Sequence, residues 1–221
     1  MSDVAVAAGA VAIAGVAVAC GALGYLHLAP TGLSPARSAV SQYGISPYRA
    51  WYRVLTVAMG VAGGAVAVAI AETVSGSGTA SVVVLVSIFA VCRVLISWFP
   101  MDAPGAARTS TGAAHGLLAV ATFWTVAIAG VRLGGVLEVA GQHSLATASR
   151  DLGWAMVAFA ALMLLGRLGP DLRRLSGAIQ RAEYAAILAW LVVVAVSATS
   201  GHLGSVAAWH HVGSSPPGHM A

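Results

Sequence analysis

The sequence predicts an all-α, polytopic transmembrane helix bundle with six spans. Three observations carry that expectation. Of 221 residues, 59% are hydrophobic and only 8% are charged, against about 25% charged in an ordinary soluble domain. The apolar residues gather in six runs, each of roughly the ~20 residues that a helix needs to cross the hydrocarbon core. Charges fall mostly between those runs or at their ends. The same arithmetic excludes a soluble globular domain, a nucleic-acid binder and a disordered chain, since disorder needs low hydrophobicity and high net charge. Open strands would leave backbone groups unsatisfied in lipid, and the alternation of a membrane barrel is missing.

The spans follow in order. Val4–Leu28 has no basic segment before it and a longer apolar run than a signal peptide, so it is a span rather than a leader. Trp51–Ala71, Ala80–Phe99 and Gly112–Val131 are the next three. Leu152–Leu168 is shorter and reaches Arg167, and Tyr184–Ser200 is the sixth. Residues 1–200 are thus expected to form one six-helix domain, and residues 201–221, which end in Ser-Ser-Pro-Pro-Gly-His-Met-Ala, a flexible tail. Loop one, Ala29–Ala50, is long and polar. Loop two, Glu72–Thr79, is a short Gly/Ser turn. Loop three, Pro100–Thr111, is rich in Pro and Gly. Loop four, Arg132–Asp151, is moderately long, with room for a surface turn of helix, and loop five, Gly169–Glu183, is basic.

Arginine counting sets the orientation. Arg37, Arg49, Arg108, Arg173, Arg174 and Arg181 lie in the odd loops, with Arg53 and Arg167 at helix ends nearby; the other side has Arg132 and Arg150. The odd loops are therefore expected in the cytoplasm and both termini outside. The net charge of +4 is built from 11 Arg, with no Lys and no Asn. That bias suits a GC-rich bacterial genome, so the expected location is a bacterial plasma membrane. Cys20 and Cys92 both sit in apolar runs and suggest no disulfide framework.

Ionisable groups at membrane depth are costly, so each is a functional candidate. His27, Arg53, Arg93, His115 and Glu183 all lie towards the odd loops. They point to one polar cavity opening on that side, flanked by Asp102 and covered by loop one. Arg93 stands among apolar residues, about 9 Å of helix before Pro100. Its guanidinium needs a carboxylate, a phosphate or backbone carbonyls, or must snorkel. Asp102 and Glu183 are the available acids. Either an internal Arg–acid pair or an anion site follows from this, and the two can coexist. Ser34-Pro35 reads as a helix cap with Pro in the first turn, and Gly44 as its stop. Ser38, Ser41 and Tyr43 would then ride on a short helix over the cavity mouth. His27 and His115 show none of the local spacing of metal ligands, so neither a metal nor a cofactor is expected. His210, His211 and His219 fall in the tail and read as incidental. No Gly-x-Ser-x-Gly signals a nucleophile elbow. Gly60-x-x-x-Gly64 and Gly112-x-x-x-Gly116 read as helix-packing motifs, and Trp51 and Trp98 as interfacial aromatics.

These residues resemble a known family. Leu26-His27-Leu28-Ala29-Pro30-Thr31-Gly32-Leu33-Ser34-Pro35, Ser38-Ala39-Val40-Ser41-Gln42-Tyr43-Gly44 and Pro47-Tyr48-Arg49 are similar to the bacterial membrane family called domain of unknown function 998. So are Arg93, Phe99-Pro100-x-Asp102 with Pro104-Gly105, and Thr111-Gly112-x-x-His115-Gly116. The likeness covers the first four spans well and the last two through Arg181-x-Glu183. It implies an architecture and no reaction. A fainter likeness runs to the Frag/DRAM/Sfk six-span group, through Ser41, Gly44 and Pro47, then His115 with Ala119 and Phe123. That group is associated with lipid remodelling and sorting. Its first loop faces away from the cytosol, contrary to the arginine count.

Three functions remain in view. The first is binding of a lipid headgroup or small anion by Arg53, Arg93, His27, His115, Glu183 and Tyr43. The second is a membrane enzyme acting on a lipid, with His27 or His115 as base, Asp102 as its orienter and Ser41 as a further candidate. The third is a small-solute transporter, which would want broken helices and repeat symmetry. The expected partners are membrane lipids, with a second copy of the chain through Gly-rich helix faces as an option and no nucleic acid.

Overall fold

The computed structural model describes residues 2–166, 169 and 174–204. Six helices among them are long and apolar enough to cross a membrane. They are α1 (Asp3–Leu28), α2 (Arg49–Thr73), α3 (Thr79–Leu95), α4 (Ser110–Val139), α5 (His143–Leu165) and α6 (Ser176–Thr199). A 3-10 turn, Ile96–Trp98, prolongs α3, and another, Val40–Ile45, lies in loop one. Each helix packs against its neighbours in the chain, and α6 closes the ring on α1 while also touching α2.

Local chemistry explains most helix ends. Pro30 disfavours helical geometry at Ala29, which is extended at φ −67°, ψ 148°. Loop two turns on Gly76 and Gly78, at φ 131° and 98°, values that only glycine adopts without strain. Pro100 follows the turn that ends α3. The α4 cap is Thr109, whose Oγ1 accepts the Gly112 N–H at 3.0 Å.

With the 3-10 turn counted into the third, the first three spans lie within two residues of their expected bounds; the last three differ in informative ways. The expected loop four shrinks to residues 140–142, because α4 runs to Val139 and α5 starts at His143. Glu138, His143 and Arg150 had read as loop residues. They are instead paired on the protruding helix ends, Glu138 lying 2.7 Å from His143 and 3.7 Å from Arg150. Charge marks where lipid stops, not where helix stops. The sixth helix starts at Ser176, eight residues before its expected bound. Loop one also departs from expectation. No helix starts at Ser34: its carbonyl accepts the Arg37 and Ser38 N–H groups in a turn, and its own N–H donates to Ser38 Oγ. The start of the expected tail is packed, with Leu203 only 3% exposed. Residues 205–221, with the tail histidines, lie outside the described residues, as do Arg167 and Arg173.

Small residues set the helix crossings. A Cβ on Gly9 would lie 2.7 Å from Ala195 O, and one on Gly60 would lie 2.8 Å from Ala90 O. The α4–α5 crossing is tighter, with Gly153 against the backbone of Gly130 and Val131. Ser149 Oγ donates to Gly130 O at 2.8 Å and accepts from Trp190 Nε1 at 2.9 Å, tying α4, α5 and α6 together. The packing role expected of Gly112 and Gly116 is corrected. Gly112 leaves room for the Asp102 carboxylate, and Gly116 has nothing within 4 Å of its missing Cβ.

Candidate functional site

Arg93 is the most buried cation among the described residues. Its side chain is 1% exposed near the odd-loop end of α3. Nη2 donates to Tyr184 Oη at 2.8 Å and approaches Met59 Sδ at 3.1 Å, and the guanidinium lies 4.8 Å from the centre of the Tyr184 ring. Nε has no hydrogen-bond partner among the described residues. The expected pairing with Asp102 or Glu183 is not made: the ion pairs among the described residues are those of Glu138. Asp102 is occupied with the α4 cap. Glu183 is wholly buried on α6, with neither carboxylate oxygen hydrogen-bonded among the described residues. It lies one helical turn beyond Ile179 and Gln180, on the side of the helix those residues share.

Arg93 borders a cavity of about 290 Å³ enclosed by α4, α5, α6 and the end of α3. His115, Ser41, Tyr52, Ser176, Gln180 and Tyr184 supply its other polar groups. The rest of the wall is apolar, and includes Phe123, Trp124 and Met163. His115 is 7% exposed and its Nδ1 lies 2.7 Å from Phe99 O. A carbonyl only accepts, so Nδ1 carries the proton and Nε2 of the neutral ring is left as an acceptor. Ser41 Oγ donates to Met101 Sδ at 3.1 Å, so loop one meets loop three over the cavity.

The other candidates stand elsewhere. His27 and Tyr43 gather around Arg181. Arg181 Nε donates to His27 Nε2 at 2.8 Å, Nη2 to Tyr43 Oη at 3.2 Å, and Nη1 to the carbonyls of Ser38 and Gly177 at 2.9 and 3.0 Å. Gln180 Oε1 accepts the Val40 N–H at 2.7 Å, and the Ala178 N–H donates to Ala36 O at 2.9 Å. These bonds fasten loop one along the first turns of α6 and explain its early start. Arg181 had counted only towards orientation. Its role was hidden because the partners are loop carbonyls that no motif marks. Arg53 lies apart, 4.8 Å over the Trp98 ring.

Asp102 Oδ1 accepts the Thr109 hydroxyl at 2.7 Å, and Oδ2 the Thr109 N–H at 3.2 Å. The Thr109 hydroxyl, its N–H and the nearby Arg108 hold this carboxyl below the usual carboxylate range. A lowered folded value means that the contribution to stability is complete above the unfolded value of about 3.9. It is lost as pH falls through the folded value. Thermal unfolding of the wild type between about pH 6 and pH 3 should therefore show a loss that is smaller in Asp102→Asn. Identical profiles would remove Asp102 from the capping role.

The arrangement defines a class: a six-span α-helical membrane protein with a buried arginine beside a mostly apolar cavity at one end of the bundle. Within that class, the chain belongs to the family described as "protein of unknown function (DUF998)", which matches residues 6–197. No curated protein and no solved structure matches it. Among the described residues, no group of three His, Cys, Asp or Glu side chains is placed to hold a metal ion.

Proposed function

We propose that the protein binds the anionic headgroup of a membrane lipid, with Arg93 as the charge that receives it. One observation carries this reading. A guanidinium that is 1% exposed borders open space, with no carboxylate of the described residues in ion-pair range. Taking such a charge out of water costs several kcal/mol, roughly, unless an anion and hydrogen bonds compensate. Tyr184 and Met59 occupy one side of the guanidinium, and its planar fork suits a phosphate or carboxylate. His115, Ser41 and Gln180 add polar groups in the same cavity. Native mass spectrometry of the protein, purified in mild detergent and mixed with equal amounts of anionic and zwitterionic lipid, tests it. Retention of the anionic lipid is expected. Equal retention of both would overturn the reading.

A membrane enzyme with His115 as base is the second reading, favoured by the Phe99 carbonyl that fixes its tautomer. The orienter role given to Asp102 goes to that carbonyl instead. Release of a lipid fragment on incubation, abolished in His115→Ala, would mark catalysis.

The reading places the protein in a bacterial plasma membrane with its odd loops in the cytoplasm, on the arginine count. In a variant lacking Cys20 and Cys92, a membrane-impermeant maleimide added to intact cells should label Ser77→Cys and spare Ala106→Cys. The opposite pattern reverses the orientation and leaves the fold untouched.

A further inference from the structure

We infer that the occupant is a single-chain anionic amphiphile that enters from the lipid, its head at Arg93 and its chain leaving between α4 and α5. This rests on the anion reading above, because Arg93 supplies the charge contact. Three further observations specify the chain and its path.

The first is where the wall reaches the surface. Val120 of α4 and Leu164 of α5 both line the cavity and are 37% and 38% exposed. Both are apolar side chains of helices long and apolar enough to cross a membrane, Val120 ten residues inside α4 and Leu164 in the last turn of α5, so lipid is the expected neighbour of their exposed surface. The water side is covered by Ala39 and Ser41 of loop one, with Ser41 fastened to Met101.

The second is the shape of the α4–α5 pair. The two helices touch backbone to backbone at Gly130 and Gly153. Val120 and Met163 each lie ten residues from that crossing, towards the odd loops, which is about 15 Å of helix. Gly116, further along, has nothing within 4 Å of its missing Cβ. The pair is pinned at one level, and at the other side chains of both helices line the cavity, which makes this the place for a slot towards the bilayer.

The third is capacity. A cavity of about 290 Å³ lies at the small end of ligand pockets, which run about 300–1,000 Å³, a size that favours a headgroup with one chain over a headgroup with two. A small anion from water would fill the polar end and leave the apolar wall uncovered. Apolar walls with a few placed polar groups are what amphiphilic ligands use.

Position-resolved photolabelling tests this on the whole protein in detergent. The probes are two lysophosphatidic acids, one with a diazirine beside the ester and one with it at the chain terminus. The first should label peptides carrying His115 or Tyr184, and the second peptides carrying Val120 or Leu164. Diacyl phosphatidic acid added in excess should compete poorly. Glycerol phosphate, which has the head and no chain, should raise the thermal stability of the wild type and not of Arg93→Met. If glycerol phosphate stabilises but the terminal probe misses the slot, or the labelling pattern is reversed, the amphiphile inference falls and the anion reading stands. Equal competition by the diacyl lipid overturns the single chain. If neither compound shows an effect that depends on Arg93, both readings fall. The labelling pattern in the wild type decides orientation even if Arg93→Met does not fold.

Discussion

Arg93→Met should leave the fold intact and lower retention of anionic lipid by one to two orders of magnitude. The stability half follows from the missing acid partner. Removing one member of a buried ion pair costs about 3–5 kcal/mol, because it leaves the other charge uncompensated. Among the described residues no carboxylate lies in ion-pair range of Arg93, so nothing of that kind is orphaned there. The Tyr184 hydroxyl loses a donor, which costs roughly 1–3 kcal/mol if it stays unpaired. Replacing a buried charge by an apolar side chain of similar length returns about as much. The midpoint of thermal unfolding should therefore move little. The binding half follows from the contact removed. A hydrogen bond to a charged group contributes about 1.5–3 kcal/mol, and each ~1.4 kcal/mol is a factor of ten in affinity. Arg93→Lys keeps the charge without the fork and should fall between the two. Native mass spectrometry beside a thermal melt reads both halves. Unchanged lipid retention in Arg93→Met would remove the site. A collapsed melt would show that the guanidinium is structural.

Depth was legible in this sequence, and direction around the helix was not. The spans could be found because lipid demands long apolar helices whatever packs against them. His115, Arg93 and Ser41 share a cavity, as their common depth implies. His27 and Tyr43 share that depth too, yet face Arg181 instead. Depth is one coordinate, and a helix face is the other. In α1 and α4, Ala, Val and Gly occur all round the helix, so no apolar stripe tells the inner face from the lipid face. Glu183 illustrates the same gap. It was expected at a helix entrance, whereas α6 begins seven residues earlier and carries it fully into the bundle. The signal for that early start lay in loop one, whose backbone bonds Gln180 and Arg181. Contacts 140 residues apart in the chain leave no local pattern to read.

Gly153→Val should sharply lower the thermal stability of the bundle. A Cβ at position 153 would fall on the backbone N of Val131 and within 2.8 Å of the Gly130 carbonyl carbon. These are main-chain atoms of α4 and cannot rotate aside, so α4 and α5 must move apart. Overpacking of this kind costs about 1–3 kcal/mol. The same movement stretches the bond from Ser149 Oγ to Gly130 O and, through Ser149, the one from Trp190 Nε1. Trp190 is wholly buried, and a buried donor left unpaired costs a further ~1–3 kcal/mol. The two costs add because separating the helices causes both. Gly135→Ala is the matched control: it is on α4, one turn from the crossing, with nothing within 4 Å of its missing Cβ. Detergent melts should place Gly135→Ala beside the wild type and Gly153→Val far below it. Gly153→Ala, which lacks the two γ carbons of valine, should lie between them. Equal melting of Gly153→Val and the control would mean that the crossing is loose. The pinned end of the slot between α4 and α5 would then lose its physical basis, and with it the geometry that directs a chain out beside Val120 and Leu164.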